Sequence, residues 1–328
     1  MARIVVTGGS GFIGTNLVQS LLDDGVDVLS LDKSKPQRKD HERIWKQVDI
    51  LDFPALQKAM VDFNPEIILH LAAVTDLNGT NAQYYSANIE GVDHIINIAE
   101  ALPAVKKVIY TSSMYVCQPG YVPKNFDDYK PHTPYGDSKV QGELKVKALK
   151  NSRHQWTIIR PTSIWGPWFG IPYIDFFNIV YQGKYFDFGN TCSKSYGFVD
   201  NSVYQIKKLI NADTHTKSYY IGDNPAIQIS EWADEISVEM GKGHIKKIPF
   251  FVIKMAAWAG DVLNAMGIKF PMTSFRLSNM TTDNILPLDN LYAITGPSPV
   301  SRIEGVRRTL AWLVKERNYD IKSKRGTV

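Results

Sequence analysis

The sequence of 328 residues contains very little cysteine, namely Cys117 and Cys192. Two thiols are too few for a disulfide framework or for the ligand set of a zinc site, so neither is expected. Scarce cysteine is typical of proteins in a reducing compartment. The chain also enters an apolar strand almost at once, without the pattern of a secretion signal. These observations predict a cytoplasmic protein without a bound metal.

The sequence also lacks a strong excess of charge of either sign. Its formal net charge is +4, with 21% charged and 44% hydrophobic residues. Such a balance is too weak to indicate a nucleic-acid-binding protein, although it suits a small anionic substrate. The composition is that of a globular enzyme with a sizeable buried core.

A hydrophobic run long enough to span a bilayer is missing as well. The most apolar stretch extends from Ile248 to Ile268 and is interrupted by Lys254 and Asp261. We interpret it first as a buried helix, with a helix lying on a membrane surface as the alternative. The basic residues 322–325 are expected to form a solvated tail.

The first half of the sequence instead alternates short apolar runs with helical periodicity. This alternation predicts an α/β fold, a Rossmann-type doubly wound parallel sheet with helices on both faces. The predicted strands are Arg3–Thr7, Val26–Leu31, Ile44–Val48, Ile67–Leu71, Lys107–Thr111, Trp156–Arg160 and Ser218–Ile221. The predicted helices are Phe12–Leu22, Pro54–Phe63, Ala82–Ala101, Tyr135–Lys150, Ile229–Met240 and Ile303–Arg317.

A glycine-rich turn, Thr7–Gly14, joins the first predicted strand to the first predicted helix. Gly8, Gly11 and Gly14 recur at every third position, which lets the backbone turn tightly and approach a pyrophosphate. The helix that follows offers unpaired N–H groups and the positive end of its dipole. We therefore predict a dinucleotide-binding core over residues 1–165, with about 195–225 returning to it. Residues 166–328 are predicted to form mainly a smaller, irregular α/β substrate-binding region.

Asp32 closes the second predicted strand, where a carboxylate can accept hydrogen bonds from both ribose hydroxyls of adenosine. The same charge would repel a 2′-phosphate, so the cofactor is predicted to be NAD. The cluster Lys33, Lys35, Arg38 and Lys39 follows closely and leaves NADP as the less favoured alternative.

Tyr135 and Lys139 are four residues apart on a predicted helix and therefore share one face. A neighbouring ammonium stabilises phenolate, so Lys139 is expected to lower the pKa of Tyr135 and make it a usable acid or base. Alone, the pair would indicate an ordinary solvated surface. Its position after Thr111-Ser112-Ser113, at the end of the fifth strand, favours a catalytic site.

These motifs, in this order, resemble the extended short-chain dehydrogenase/reductase family, within its NAD-dependent epimerase/dehydratase (sugar-nucleotide epimerase-like) group. The resemblance covers about residues 3–200. It rests on Thr7–Gly14, Asp32, Leu71-Ala72-Ala73, Thr111-Ser112-Ser113, Tyr135-x-x-x-Lys139 and Arg160-Pro161-Thr162-x-x-x-Gly166-Pro167.

The resemblance implies a role for each matching residue. Ser113 would hydrogen-bond the reacting substrate oxygen, with Ser112 as the alternative, Tyr135 would exchange a proton with it, and Lys139 would bind the nicotinamide ribose. The implied cofactor contacts are Gly8, Gly11, Phe12, Ile13 and Gly14 at the pyrophosphate, Asp32 at the ribose, Asp49 and Ile50 at adenine, and Leu71, Ala72, Ala73, Asn88, Tyr135, Lys139, Pro161 and Thr162 along the rest. Asn88 is the polar helix position that supports the active site.

Several positions depart from the family's pattern. Met114 and Tyr115 stand where sugar-nucleotide dehydratases carry an acidic pair, so a dehydratase is not expected. Ser163 replaces a substrate-contacting asparagine, and Lys194 replaces an arginine that binds substrate phosphate. Arg276 is a second phosphate candidate, with an ordinary surface charge at least as good an interpretation. The aromatic residues between 165 and 177 indicate core packing first and a ligand-stacking wall second.

Three functions remain. The first is a sugar-nucleotide 4-epimerase, an isomerase with transient hydride transfer to NAD; its partner would be a nucleotide sugar and its assembly a homodimer, which is common in the family. The second is a net oxidoreductase, such as a ketoreductase of a nucleotide deoxysugar or a 3β-hydroxysteroid dehydrogenase-like enzyme. The third is a non-catalytic dinucleotide sensor, which would not need Ser113, Tyr135 and Lys139.

Overall fold

The computed structural model describes residues 2–189, 192–268, 270 and 272–321, so the predicted tail at 322–325 lies outside the described residues. The chain forms two compact units. The first comprises residues 1–164, 197–223 and 287–299, and the second comprises residues 165–196, 224–286 and 300–328.

The bounds of the elements follow the chain. The strands are β1 Arg3–Thr7, β2 Asp27–Asp32, β3 Trp45–Gln47, β4 Ile67–His70, β5 Lys107–Thr111, β6 Gln155–Pro161, β7 Ser163–Trp165, β8 Phe186–Asp187, β9 Ser193–Lys194, β10 Tyr196–Phe198, β11 Lys217–Ile221, β12 Ile227–Gln228 and β13 Lys246–Lys247. The helices are α1 Phe12–Asp23, α2 Phe53–Phe63, α3 Ser86–Ala101, α4 Pro134–Lys147, α5 Tyr173–Tyr181, α6 Val199–Asn211, α7 Ile229–Glu239, α8 Phe250–Ala265, α9 Ser274–Thr281, α10 Asp289–Thr295 and α11 Arg302–Arg317.

The first unit is built on a seven-stranded parallel sheet, in the order β11-β6-β5-β4-β1-β2-β3. The strand order reverses direction beside β1, where the chain passes from β3 across to β4. Such a switch point opens a crevice outside the carboxyl ends of the strands, which is where ligands bind in open α/β sheets. The predicted Rossmann-type fold is confirmed.

Alternate residues of the strands feed two buried layers, one on each face of the sheet. On one face Val5, Ile68 and Val108 pack against apolar residues of α2, α3 and α4. On the other face Ile4 and Leu69 pack against residues of α1, α6 and α10. Both faces are covered, which explains why the central strands are continuous apolar runs.

The structure shifts some predicted boundaries. The predicted helix at 82–101 is a short 3₁₀ turn, Gln83–Tyr85, followed by α3. The helix predicted from Tyr135 begins one residue earlier, at Pro134, because the Thr133 side chain accepts a hydrogen bond from the Gly136 N–H and proline suits the first helical turn.

Aromatic residues form the core of the second unit. The ring of Trp232 stacks on Phe176 at 4.8 Å and also packs on Trp165 at 5.0 Å. Phe169 and Phe177 are buried and meet edge to face. The cluster packs against itself, which favours the core-packing interpretation of residues 165–177.

The apolar stretch at 248–268 corrects a prediction. It forms α8, and the expectation of a buried helix is wrong. Ala257 and Gly260 are buried, with Ala257 packing on Phe188 and Leu277, but the opposite face of the helix is exposed. Within the described part of the chain, no helix combines the length and apolarity needed to cross a membrane.

Candidate active site

The glycine-rich turn runs from the end of β1 into α1. Gly8 has φ of +75°, and a Cβ there would lie 2.6 Å from the Ala72 backbone nitrogen, so only glycine fits. A Cβ on Gly14 would lie 2.1 Å from the Gly8 carbonyl oxygen. By contrast, a Cβ on Gly11 would meet only that same oxygen, at 3.2 Å. Gly8 and Gly14 therefore close the turn, and Gly11 leaves room over the first turn of α1, which carries Phe12 and Ile13.

Asp32, at the end of β2, fixes the shape of this turn. One carboxylate oxygen accepts the Ser10 N–H at 3.0 Å and the other accepts the Ser34 N–H at 2.9 Å. Each carboxylate oxygen keeps a second lone pair for a ribose hydroxyl. Arg38, one of the basic residues considered for a 2′-phosphate, pairs with Asp40 at 2.7 Å.

The predicted adenine residues lie after β3. Asp49 is exposed, and its carboxylate accepts the Leu51 N–H at 2.9 Å. Ile50 is buried, and a Cβ on Gly91 of α3 would lie 2.9 Å from its side chain.

Asn88 connects two parts of the site and contacts protein atoms on all sides. Its Oδ1 accepts the Val74 N–H at 2.7 Å, while its Nδ2 donates to the Val74 carbonyl and to Ser138 Oγ at 2.9 and 3.0 Å. The side chain thus ties the segment that contains Leu71, Ala72 and Ala73 to α4. These bonds suit the supporting role that the resemblance implies for Asn88.

The structure brings Ser113, Tyr135 and Lys139 together, and all three are buried. Ser113 follows β5, its hydroxyl accepts the Tyr115 N–H at 3.2 Å, and its interaction with the Tyr135 hydroxyl acts to lower the pKa of that phenol. Lys139 Nζ donates to the Thr111 carbonyl at 3.0 Å. Ser112 instead lines a small cavity with Lys139 and Glu143. The contact with Tyr135 favours Ser113 over Ser112.

The expected lowering of the Tyr135 pKa is contradicted. Burial raises the pKa of Tyr135 to about 12, and the hydrogen bond with Ser113 acts in the opposite direction without offsetting it. Burial also lowers the pKa of Lys139 to about 8, although the Glu143 carboxylate opposes this. The expectation was wrong because it took account of the Lys139 ammonium alone. Burying the phenolate of Tyr135 between the rings of Tyr85 and Tyr115, which lie 5.9 and 6.0 Å away, costs more than the ammonium returns.

The structure contains a buried ion pair next to Lys139 that was not among the predicted site residues. Glu143 receives hydrogen bonds from Nε and Nη2 of Arg160, both at 2.8 Å, and from the Tyr129 hydroxyl at 2.8 Å. Burial alone would raise the pKa of Glu143, but the bonds and charge of Arg160 leave it lowered. Glu143 follows Lys139 by four residues, so the spacing that joined Tyr135 to Lys139 also places it on this face.

His70, the last residue of β4, is a second group that the sequence argument missed. Its Nδ1 shares a hydrogen bond with Thr7 Oγ1 at 2.8 Å. Burial, followed by the charge of Lys139, lowers the pKa of His70 to about 3, so the imidazole is neutral. His70 therefore links the start of the glycine-rich turn to the surroundings of Lys139.

The predicted substrate residues fall in different units. Ser163, in β7, belongs to the first unit and is partly buried. Lys194, in β9, and Arg276, in α9, belong to the second unit; Lys194 is half-buried and pairs in register with Ile227, whereas Arg276 is exposed. Met114 and Tyr115 occupy a 3₁₀ turn directly after Ser113.

The family model that describes the NAD dependent epimerase/dehydratase family matches residues 4–176, which is just over half of the chain. The chain belongs to this family. Its predicted membership, and the prediction of NAD as the cofactor, are confirmed.

Two curated relatives and a solved structure illustrate what the chain is similar to. A 3-beta-hydroxysteroid dehydrogenase of Mycolicibacterium neoaurum is 32% identical over 180 residues, 51% of this chain and 48% of the relative. A UDP-glucose 4-epimerase of Mycolicibacterium smegmatis is 31% identical over 179 residues, 50% of this chain and 57% of the relative. The matches thus span about half the length of these relatives. UDP-glucose 4-epimerase of Thermotoga maritima, solved with UDP-glucose, shares the fold with a TM-score of 0.73 at 21% identity, covering 95% of this chain and 99% of that one.

The residues at the carboxyl edge of the sheet fit the family's cofactor. The exposed Gly11 and the first turn of α1 suit a pyrophosphate, and Asp32 suits a ribose. Within the described residues, the buried Thr162 Oγ1 and Thr111 Oγ1 have no hydrogen-bond partner. Thr111 is the last residue of β5 and Thr162 directly follows β6, where a bound nicotinamide and its ribose would supply polar groups.

Proposed function

We propose that the protein is an NAD-dependent sugar-nucleotide epimerase of the 4-epimerase type. The observation that carries the proposal is the buried group of Ser113, which follows β5, with Tyr135 and Lys139 of α4. The glycine-rich turn of the same chain fits a dinucleotide. A protein that only sensed dinucleotides would not need a buried phenol and ammonium one helical turn apart.

NAD, when bound, supplies a reversible hydride acceptor. The residues proposed to hold it are Gly8, Gly11, Phe12, Ile13, Gly14, Asp32, Asp49, Ile50, Leu71, Ala72, Ala73, Pro161, Thr162 and Lys139. The chain's own task is to move one proton at the substrate oxygen. Ser113 Oγ would hydrogen-bond this oxygen, and Tyr135 Oη would take its proton as the carbon is oxidised to a ketone. When the carbon is reduced again from the other side, Tyr135 would return the proton.

The electrostatics of the site support the proton-donating half of this role. A phenol with a raised pKa keeps its proton at neutral pH and can deliver it to an oxygen that gains negative charge. Donating the proton leaves a buried phenolate, which is also the form that takes a proton from the substrate hydroxyl, and this anion needs a nearby cation. Lys139, one helical turn away, supplies that charge. The Glu143 carboxylate is paired with Arg160, which donates two hydrogen bonds to it.

The proposed substrate class is the nucleotide sugars, with Ser163, Lys194 and Arg276 as substrate contacts. Two of these are cations, which suits a diphosphate. Without the acidic pair at 114 and 115, water elimination has no acid and base, so epimerisation fits the site better than dehydration.

The decisive experiment compares the protein with Tyr135→Phe. After a thermal-shift screen of nucleotide sugars with NAD present, conversion of each binding sugar to its epimer is followed by NMR. We expect turnover to fall about 10²- to 10⁴-fold in the variant, because acid–base catalysis is lost, while NAD binding persists. Ser152→Ala, at a serine remote from Tyr135 in sequence, is the control. Unchanged turnover in Tyr135→Phe would disprove the mechanism.

A second candidate is a net oxidoreductase acting on a 3β-hydroxysteroid or a related alcohol. It is favoured by the 3-beta-hydroxysteroid dehydrogenase relative, whose 32% identity is close to the 31% of the UDP-glucose 4-epimerase. A net oxidoreductase exchanges its cofactor at every turnover, so substrate plus free NAD would produce the absorbance of reduced nicotinamide. An epimerase would leave that absorbance unchanged.

We further propose a homodimer in the cytoplasm. Leu144 on α4 is an exposed leucine, 52% accessible, on the helix that carries Tyr135 and Lys139. A single exposed leucine is ordinary in itself, so the proposal rests on the family's common use of the helix that carries the tyrosine and lysine pair as a subunit contact. Both cysteines are free and buried, which is compatible with a reducing compartment.

A further inference from the structure

The exposed face of α8 carries a row of large apolar side chains. Phe251, Met255, Trp258, Val262 and Met266 follow one another at spacings of four, three, four and four residues. At 100° per residue these positions lie on one side of the helix, and each side chain is between 43% and 70% accessible. Isolated exposed apolar residues are ordinary in proteins, but a contiguous row is the usual mark of an interaction surface.

The charges around this row have a single dominant sign. Between residues 242 and 268 the sequence has four lysines and one acidic residue, Asp261. Lys246 and Lys247 directly precede the helix and are exposed, and Lys254 lies one turn before Trp258 on the border of the row. The carboxylate of Asp261 accepts the Ser274 N–H at 3.0 Å, and that of Asp187 lies 3.9 Å from Lys247.

We propose that the exposed face of α8 docks on the surface of a lipid bilayer that contains anionic lipids. An amphipathic helix that lies in a membrane interface has aromatic and long apolar side chains on one face and lysines beside them. Trp258 and Phe251 would enter the boundary between headgroups and acyl chains, and the three lysines would lie among the lipid phosphates. The proposal does not depend on which reaction the protein catalyses.

A second copy of the chain fits this face less well. A helix of 16 residues is about 24 Å long and about 10 Å wide, so the face covers a few hundred Å². A stable dimer buries roughly 800 Å² on each partner. Pairing two such faces would also bring two lysine sets of the same sign together, whereas an anionic surface complements them.

The test uses the full-length protein with vesicles of phosphatidylcholine alone or mixed equally with phosphatidylglycerol. We expect co-sedimentation with the mixed vesicles and weak binding to the neutral ones. Brominated acyl chains should quench tryptophan emission. Trp258→Phe should keep the binding and remove most of the quenching, which would assign the signal to this residue.

Matched variants separate the two components of the binding. Lys246→Glu with Lys247→Glu should weaken binding to the mixed vesicles at least about 25-fold, because each lysine near an anionic surface contributes roughly fivefold. Trp258→Ser with Met255→Ser should weaken it about tenfold for each side chain. Two controls, Lys150→Glu with Lys217→Glu and Val61→Ser on α2, change charge and exposed apolar surface elsewhere and should bind as the unaltered protein does.

Two outcomes would overturn the proposal. The first is an absence of binding to the mixed vesicles by a folded protein. The second is a concentration-dependent association in sedimentation velocity that Trp258→Ser abolishes, because that result would assign the face to a second copy. The catalytic assay is independent, so failure here would leave the proposed reaction standing.

Discussion

At the scale of single residues, the buried ammonium of Lys139 is the most costly group of the site. Lys139 lines a small cavity with Tyr110, Thr111 and Ser112, and burial lowers its pKa to about 8 from an ordinary value of 10.5. A cation buried in this way destabilises the folded protein as long as it stays charged. Such a cost is typical of a residue kept for function.

Lys139→Met should therefore stabilise the protein at pH 7. The shift corresponds to about 3 kcal/mol, of which about 1 kcal/mol is lost with the hydrogen bond to the Thr111 carbonyl, so we expect a net gain of about 2 kcal/mol. The folded-state pKa is depressed, so the penalty is full below pH 8 and fades between about 8 and 10.5 as the buried lysine loses its proton before the unfolded one.

Urea unfolding from pH 7 to 10 would measure this gain. Lys145→Met, at a partly exposed lysine of the same helix that pairs with Asp93, should change the stability by less than about 0.5 kcal/mol at every pH. A loss of stability at pH 7 in Lys139→Met would contradict the assignment of a buried charge at this position.

The identity of the site residues could be predicted from sequence more easily than their protonation behaviour. Tyr135 and Lys139 were found from their spacing of four residues, and the resemblance to the family added Ser113 at the end of the fifth strand. The pKa of Tyr135 could not be predicted, because it depends on Tyr85 and Tyr115, which α4 meets only in the folded protein. His70 gave no signal, since a histidine at the end of an apolar strand is indistinguishable in sequence from a core residue.

At the scale of elements, the turn between β1 and α1 combines two kinds of glycine. Gly14 is packed against the Gly8 carbonyl, whereas Gly11 is exposed and a Cβ there would meet only the same carbonyl oxygen, at 3.2 Å. Gly14 is therefore needed for the backbone of the turn to close, and Gly11 for the approach of the ligand.

Gly14→Ala and Gly11→Ala should separate these roles. We expect Gly14→Ala to lose about 1 to 3 kcal/mol of unfolding free energy, because the new methyl group would overlap the Gly8 carbonyl. Gly11→Ala should fold with a stability within about 1 kcal/mol of the original and bind NAD at least about tenfold more weakly. Calorimetric titration with NAD and thermal unfolding give both quantities; unweakened NAD binding by Gly11→Ala would show that the pyrophosphate lies elsewhere.

The elements that sequence predicted well are those whose pattern is set locally. β5 was predicted with its observed bounds, because an apolar run between polar ends leaves little freedom. α8 was misjudged because its composition is apolar on nearly all sides, with Lys254 and Asp261 as its only charges, so its exposed side could not be identified until Ala257 and Gly260 were seen to pack.

At the scale of the whole molecule, the proposed homodimer can be tested at the exposed Leu144 of α4. Leu144→Glu should give a monomer, because a charge placed at an apolar subunit contact is not compensated there. Val61→Glu, at an equally exposed residue of α2, should leave the assembly unchanged. Light scattering after gel filtration would measure both masses, and a dimeric Leu144→Glu protein would exclude α4 as the contact.

The first unit has one further consequence, which concerns the order in which the chain is made. Its sheet ends in β11, whose residues follow β6 by more than fifty positions, and the charged end of Lys107 in β5 donates to the carbonyls of Leu209 and Ala212. Residues 287–299 then return to the same unit. At ordinary rates of translation, on the order of five seconds separate residue 164 from residue 221, the end of β11. A nascent chain thus waits on the ribosome with the edge of β6 unpaired and Lys107 unsatisfied, and its need for chaperones should be greatest in that interval.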